Sequence, residues 1–93
     1  MRKRNNRTDA FELVDRAIRL QLSDEDNLSE IELCLQKALA LDPDGIEVLE
    51  ESAHFYDSVV PNHSKARRLA RKCREKALML IADMDNIIEE RIG

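Results

Sequence analysis

Apolar residues return along this chain at steps of three and four, and a polar turn closes off each run of them. Phe11, Val14, Ala17 and Ile18 share one helical face, flanked by Leu13 and Leu20. Thr8 or Asp9 is placed to cap that helix, with Glu12 in the capping-box position three residues past Asp9. After a polar turn at 23–27, Leu28, Ile31, Cys34, Leu35, Ala38 and Leu41 form a second stripe, opened by Asn27 with Glu30. Residues 42–45 (DPDG) end it, because the residue before a proline avoids helical backbone angles. Asp44 with Glu47 is placed to cap a third helix.

That third helix divides at about 100° per residue into two halves. Ile46, Val48, Leu49, Ala53, Phe55, Tyr56, Val59 and Val60 fill one, and Glu47, Glu50, Glu51, His54, Asp57 and Ser58 fill the other. An apolar half-circumference is wider than one neighbour needs, so the pattern predicts a helix sandwiched between two others. Residues 61–63 form the last turn, with Ser64 as the expected N-cap. From there to Ile92 neither Gly nor Pro interrupts the register, and Ala66, Leu69, Ala70, Cys73, Ala77, Leu80, Ile81, Met84, Ile87 and Ile88 keep to one stripe. Such a helix would run on the order of 40 Å, about twice its neighbours. Its first half carries small residues and its second half large ones, so the large half is expected to overhang the rest.

Composition fits four helices and little else. The 93 residues are 43% hydrophobic but only 3% aromatic, with two Gly and two Pro, too few for the turns of an all-β chain. The length suits one domain, expected over 9–93, and basic residues 1–8 read as a disordered arm without the apolar segment of a secretory signal. The two cysteines lie inside helical patterns and form no disulfide framework, which points to a reducing, cytoplasmic setting. No apolar run approaches the roughly 20 residues of a membrane span.

An internal echo refines the plan. Residues 34–44 (CLQKALALDPD) recur 39 positions later as 73–83 (CREKALMLIAD), with six of eleven identities. Self-similarity at such a period is the mark of stacked helical hairpins. Residues 35–43 (LQKALALDP) resemble the second-helix ending of a tetratricopeptide repeat (TPR), with Ala38 as the small packing residue and Pro43 as the closing proline. Leu49, Ala53 and Tyr56 sit at the spacing of that family's large, small and aromatic first-helix positions. Ala66 and Cys73, or Ala70 and Ala77 in the register of the echo, would be the small residues of its second helix. Ile31, Leu35 and Arg19 depart from the family pattern, and the second unit is longer and lacks a terminal proline. The resemblance implies an all-α fold of two TPR-like antiparallel helical hairpins with an elongated C-terminal helix. It also implies a protein–protein interaction module rather than an enzyme.

Three features are candidates for carrying that work. First-helix residues line the groove of TPR proteins, so the resemblance points to Glu50 and His54, with Glu47, Glu51 and Asp57 beside them, as a face for another protein or a basic peptide. The same face also serves simply as solvated surface. Second, residues 64–79 carry seven cations against one acid, a charge of +6, whereas 21–63 sum to −10 and 80–93 to −3, within a chain of net −4. The basic half either neutralises acidic segments of its own or another chain, or contacts phosphate, the alternative being a small nucleic-acid-associated helical protein that uses the basic face of residues 64–76. The acidic total, the few aromatics and the lack of a base-reading motif weigh against nucleic acid. Third, the stripe Leu80, Ile81, Met84, Ile87 and Ile88 suggests self-association as a homodimer. The seam from Ala66 through Ala70, Cys73, Ala77, Leu80, Met84 and Ile87 has coiled-coil spacing, and an antiparallel pair sets basic halves against acidic ones. Cys34, Cys73, His54 and His63 lack metal-ligand spacing, and no nucleophile–base pair or phosphate loop is present, so no cofactor, metal or catalysis is expected.

Overall fold

The computed structural model describes residues 6–23 and 26–92. Four helices follow one another: α1 Asn6–Gln21, α2 Leu28–Leu41, α3 Ile46–His54 and α4 His63–Ile92, with a π-helical turn over Phe55–Val59 continuing α3. Among the described residues there is no strand. The class is all-α: α1 packs on α2, α3 packs on α4, and α3 also touches both helices of the first pair. This is the sandwiched third helix that its wide apolar face demands.

Small residues set the spacing of the first pair. Ala10 and Ala17 on α1 and Ala38 on α2 are wholly buried, so the backbones approach closely. Val14, Ile31, Cys34 and Leu35 fill the space between, and Val48, Leu49, Phe55 and Tyr56 close it from the second pair. Phe55 and Tyr56 meet edge to face, ring centres 5.1 Å apart at 86°, a favoured aromatic geometry. The Tyr56 hydroxyl donates to Glu32 Oε2 at 2.7 Å, and the Lys65 ammonium donates to the same hydroxyl at 3.2 Å. One side chain thereby ties α2, the π turn and α4 together. Ser52, a polar residue set amid the apolar half of the helical wheel, is fully buried, and its hydroxyl has no partner.

The π turn has a local cause. Pro61 offers no N–H, and Val60 before it leaves the helical region (φ −122°, ψ 85°). The last turn therefore widens: the Val60 N–H reaches back to Phe55 O at 3.0 Å, and the Asn62 N–H reaches Tyr56 O at 2.7 Å. Both aromatic rings of this turn are buried.

Helix starts differ from the sequence expectation. Thr8 and Asp9 lie inside α1 rather than at its N-cap, and an acid such as Asp9 suits the first turn of a helix. Residues 6–8 of the expected arm are thus helical, and residues 1–5 lie outside the described residues. Asn27 precedes α2 without a side-chain cap bond; Glu30 turns instead to Arg16 on α1. Gly45, not Asp44, occupies the N-cap of α3, because the Asp44 carboxylate is drawn to Lys72 (3.2 Å) and Lys76 (3.8 Å) on α4. Asn62 Oδ1 accepts the Lys65 N–H at 3.2 Å and so caps α4 in place of Ser64.

Helix α4 is continuous for 30 residues, about 45 Å at 1.5 Å per residue, within a molecule 54 Å in its longest dimension. Ala66 and Leu69 are buried, and Cys73 and Ala77 are half-buried. From Leu78 to Glu90 every residue is exposed. The helix outruns its hairpin without bending back.

Candidate functional site: a groove and an uncovered helix tip

Between α3 and α4, on the side away from α1 and α2, runs an open groove of 570 Å³. Its floor is small and apolar: Ala53 from α3, and Ala66, Ala70 and Cys73 from α4. Glu50, His54 and Asp57 stand along the α3 wall, and His63, Arg67 and Arg74 along the α4 wall. The helical periods explain the assembly, since 50, 53, 54 and 57 share one face of α3, and 63, 66, 67, 70 and 74 share one face of α4.

The expected acidic face is therefore split. Glu50, His54 and Asp57 come together in the groove. Glu51 is half-buried and outside it, and Glu47 lines a separate depression with Arg7, Thr8, Phe11, Asp42 and Val48. The groove is not an acidic trough either, because Arg67 and Arg74 form its opposite wall. Those two arginines were visible in the sequence only as members of a basic cluster. Their helical step from Ala66 and Ala70, the small floor residues, was the signal that placed them here.

Cys73, on the groove floor, is a partly buried thiol. Its thiol donates to Ile46 O at 3.7 Å, and burial, followed by the negative charges of Glu50 and Glu47, pushes its pKa up. That disfavours the thiolate and with it any nucleophilic part. Among the described residues no group of three or more His, Cys, Asp and Glu comes together to hold a metal, and no helix is long and apolar enough to cross a membrane.

Beyond the groove, α4 presents Leu80, Ile81, Met84, Ile87 and Ile88, each between 45% and 55% exposed. Leu78 and Met79, off the expected stripe, are exposed as well. Leu80 still borders a depression formed by the 42–45 turn and the start of α3.

The echo clarifies why this surface is bare. Cys34 and Ala38 on α2 are buried in clusters with Leu49, Phe55, Tyr56 and Val48 of the second hairpin. Their echoes Cys73 and Ala77 are only half-buried, and Leu78 and Leu80, the echoes of half-buried Leu39 and Leu41, are exposed. The second hairpin stacks on the α2 side of the first, and among the described residues no further hairpin stacks on α4.

Compared with known proteins, the chain matches no family model, no curated protein and no solved structure.

Proposed function

We propose that this chain is a non-enzymatic protein–protein interaction module of TPR-like plan that self-associates through α4. The observation carrying this is the row of large apolar side chains on α4, half exposed on a helix that overhangs its own hairpin. An outer helix face that meets only water is ordinarily polar. Here the exposed end of α4 carries Leu80, Ile81, Met84, Ile87 and Ile88 instead. An apolar strip of this kind is a contact surface in search of a cover.

A second function has one observation in its favour. Arg67, Arg68, Arg71 and Arg74 are exposed, and among the described residues none of them forms an ion pair. A basic helix face can contact phosphate. Against it stand the net charge of −4 and the placement of Phe55 and Tyr56 in the core, away from any base.

Light scattering at micromolar concentration separates these. The interaction module is expected to show twice the chain mass of 10.7 kDa. An Ile81→Asp, Ile88→Asp variant is expected at the single mass with helicity unchanged by circular dichroism. A wild-type chain that stays single at ~100 µM, well above the Kd of a specific weak dimer, refutes self-association. Salt-dependent binding to duplex DNA or RNA that persists at physiological ionic strength would favour the phosphate-binding alternative.

A further inference from the structure

We infer that the occupant of the α3–α4 groove is the α4 tip of a second copy, in a two-fold antiparallel dimer whose axis passes near Ala77. The inference rests on the self-association proposed above and specifies its geometry.

Size complementarity fixes the direction. The groove-side face of α4 runs Ala66, Ala70, Cys73, Ala77, Ile81, Met84 and Ile88, small for its first half and large for its second. Turning one copy end for end about Ala77 sets Ala66 opposite Ile88, Ala70 opposite Met84 and Cys73 opposite Ile81. Every large side chain then meets a small one. The floor positions Ala66, Ala70 and Cys73 are those lining the empty groove. A parallel pair would instead stack Ala on Ala over half its length and leave a void there, while crowding Met84 and Ile88 against themselves.

Charge selects the same arrangement independently. Arg67 and Asp85 are 18 residues apart, as are Arg71 and Glu89, which is about five full turns, so all four lie along one flank of α4. In a two-fold antiparallel pair, like flanks face each other. Arg67 of one copy falls between Asp85 and Glu89 of the other, and Arg71 falls beside Asp85. Each of these arginines is exposed without an ion pair among the described residues of its own chain. A parallel pair would place the +6 halves side by side.

The area is sufficient. Five tip residues that are about half exposed offer roughly 500 Å² per copy, or about 1,000 Å² over two copies before the groove walls are counted, and specific interfaces start near that size. The tip brings the apolar knobs, and the groove brings the space that the second hairpin leaves open.

Disulfide trapping tests the register. In a Cys73→Ser background, the Ala70→Cys, Met84→Cys double variant is expected to form a covalent dimer rapidly under mild oxidation. Neither single variant is expected to do so, because residues 70 and 84 lie about 21 Å apart along one helix and each faces the other only across the dimer. Single variants that cross-link as well as the double show a parallel pair and overturn the inference while leaving self-association intact. A dimer by light scattering in which no variant cross-links places the contact on another surface and also overturns it. A wild-type chain that is single by scattering removes the proposed function and the inference together.

Discussion

The single tyrosine offers the sharpest check on the fold. Tyr56 is 2% exposed, its hydroxyl donates to Glu32, and the Lys65 ammonium lies 4.2 Å from its ring centre. Burial, then the hydrogen bond donated to Glu32 and the negative charge of that carboxylate, push the phenol pKa up to about 12. In the unfolded chain it returns to about 10. The folded state therefore keeps a proton that the unfolded state has lost between those values. This contribution is complete below pH 10 and is lost as pH rises to 12, at about 1.4 kcal/mol per pH unit. Tyr56→Phe removes the hydroxyl bonded to a carboxylate, which should cost about 2 kcal/mol at neutral pH and lower Tm by on the order of 10 °C in a domain of this size. The stability gap between wild type and variant should then close as pH rises from 10 to 12. Urea denaturation across that range measures the gap, and phenolate absorbance reports the titration directly, with no other tyrosine to interfere. A folded-state phenol titrating near 10, or a gap that stays constant with pH, refutes the buried Tyr56–Glu32 arrangement.

Ser52→Ala should raise stability by about 1 kcal/mol, since it removes a buried hydroxyl without a partner and improves helix propensity; a fall in the urea midpoint would mean that the hydroxyl is bonded in solution. The Cys73 thiol, pushed up by burial and then by Glu50 and Glu47, should react with an aromatic disulfide at neutral pH more slowly than a free peptide thiol. Glu50→Gln should speed that reaction, and a rate equal to the free thiol in the native chain would show Cys73 to be open and unperturbed.

The four helices and the overhang of α4 were legible because they rest on periodicity, which survives any detail of tertiary packing. Helix starts were not. Each candidate cap lay within a turn of other polar residues, and tertiary partners chose among them: Arg16 claimed Glu30, and Lys72 and Lys76 claimed Asp44. The π turn needed Pro61 and Val60 to be read together with the burial of two adjacent rings, and a helical wheel averages that away. Of the candidate site, the acidic face and the basic cluster were each visible in one dimension. That Glu50 and Asp57 face Arg67 and Arg74 across a floor of small residues depends on how α3 crosses α4, and no single-helix pattern contains that crossing. Ser52 shows the opposite case: its polarity suggests surface, while its position between Leu49 and Phe55 commits it to the core.

The charge order of α4 works against the helix that carries it. A helix N-terminus favours acids and its C-terminus cations, yet Lys65 and Arg67 open this helix and Glu89 and Glu90 close it. Arg67 with Arg71, Arg68 with Lys72, and Lys72 with Lys76 are like charges one turn apart, each unfavourable by about 0.2–0.5 kcal/mol. The fold answers part of this: Asp44 takes Lys72 and Lys76, and Tyr56 takes Lys65. Arg67, Arg68, Arg71 and Arg74 receive no such partner among the described residues. A monomer stable on its own terms gains nothing from that remainder, and its opposite, an unanswered acidic tip, sits at the other end of the same helix. Two copies laid end for end bring the two remainders together, on the face where the large and small side chains also match. Charge and volume are separate properties of the sequence, and their agreement on one register is the strongest physical reason to look for the antiparallel pair.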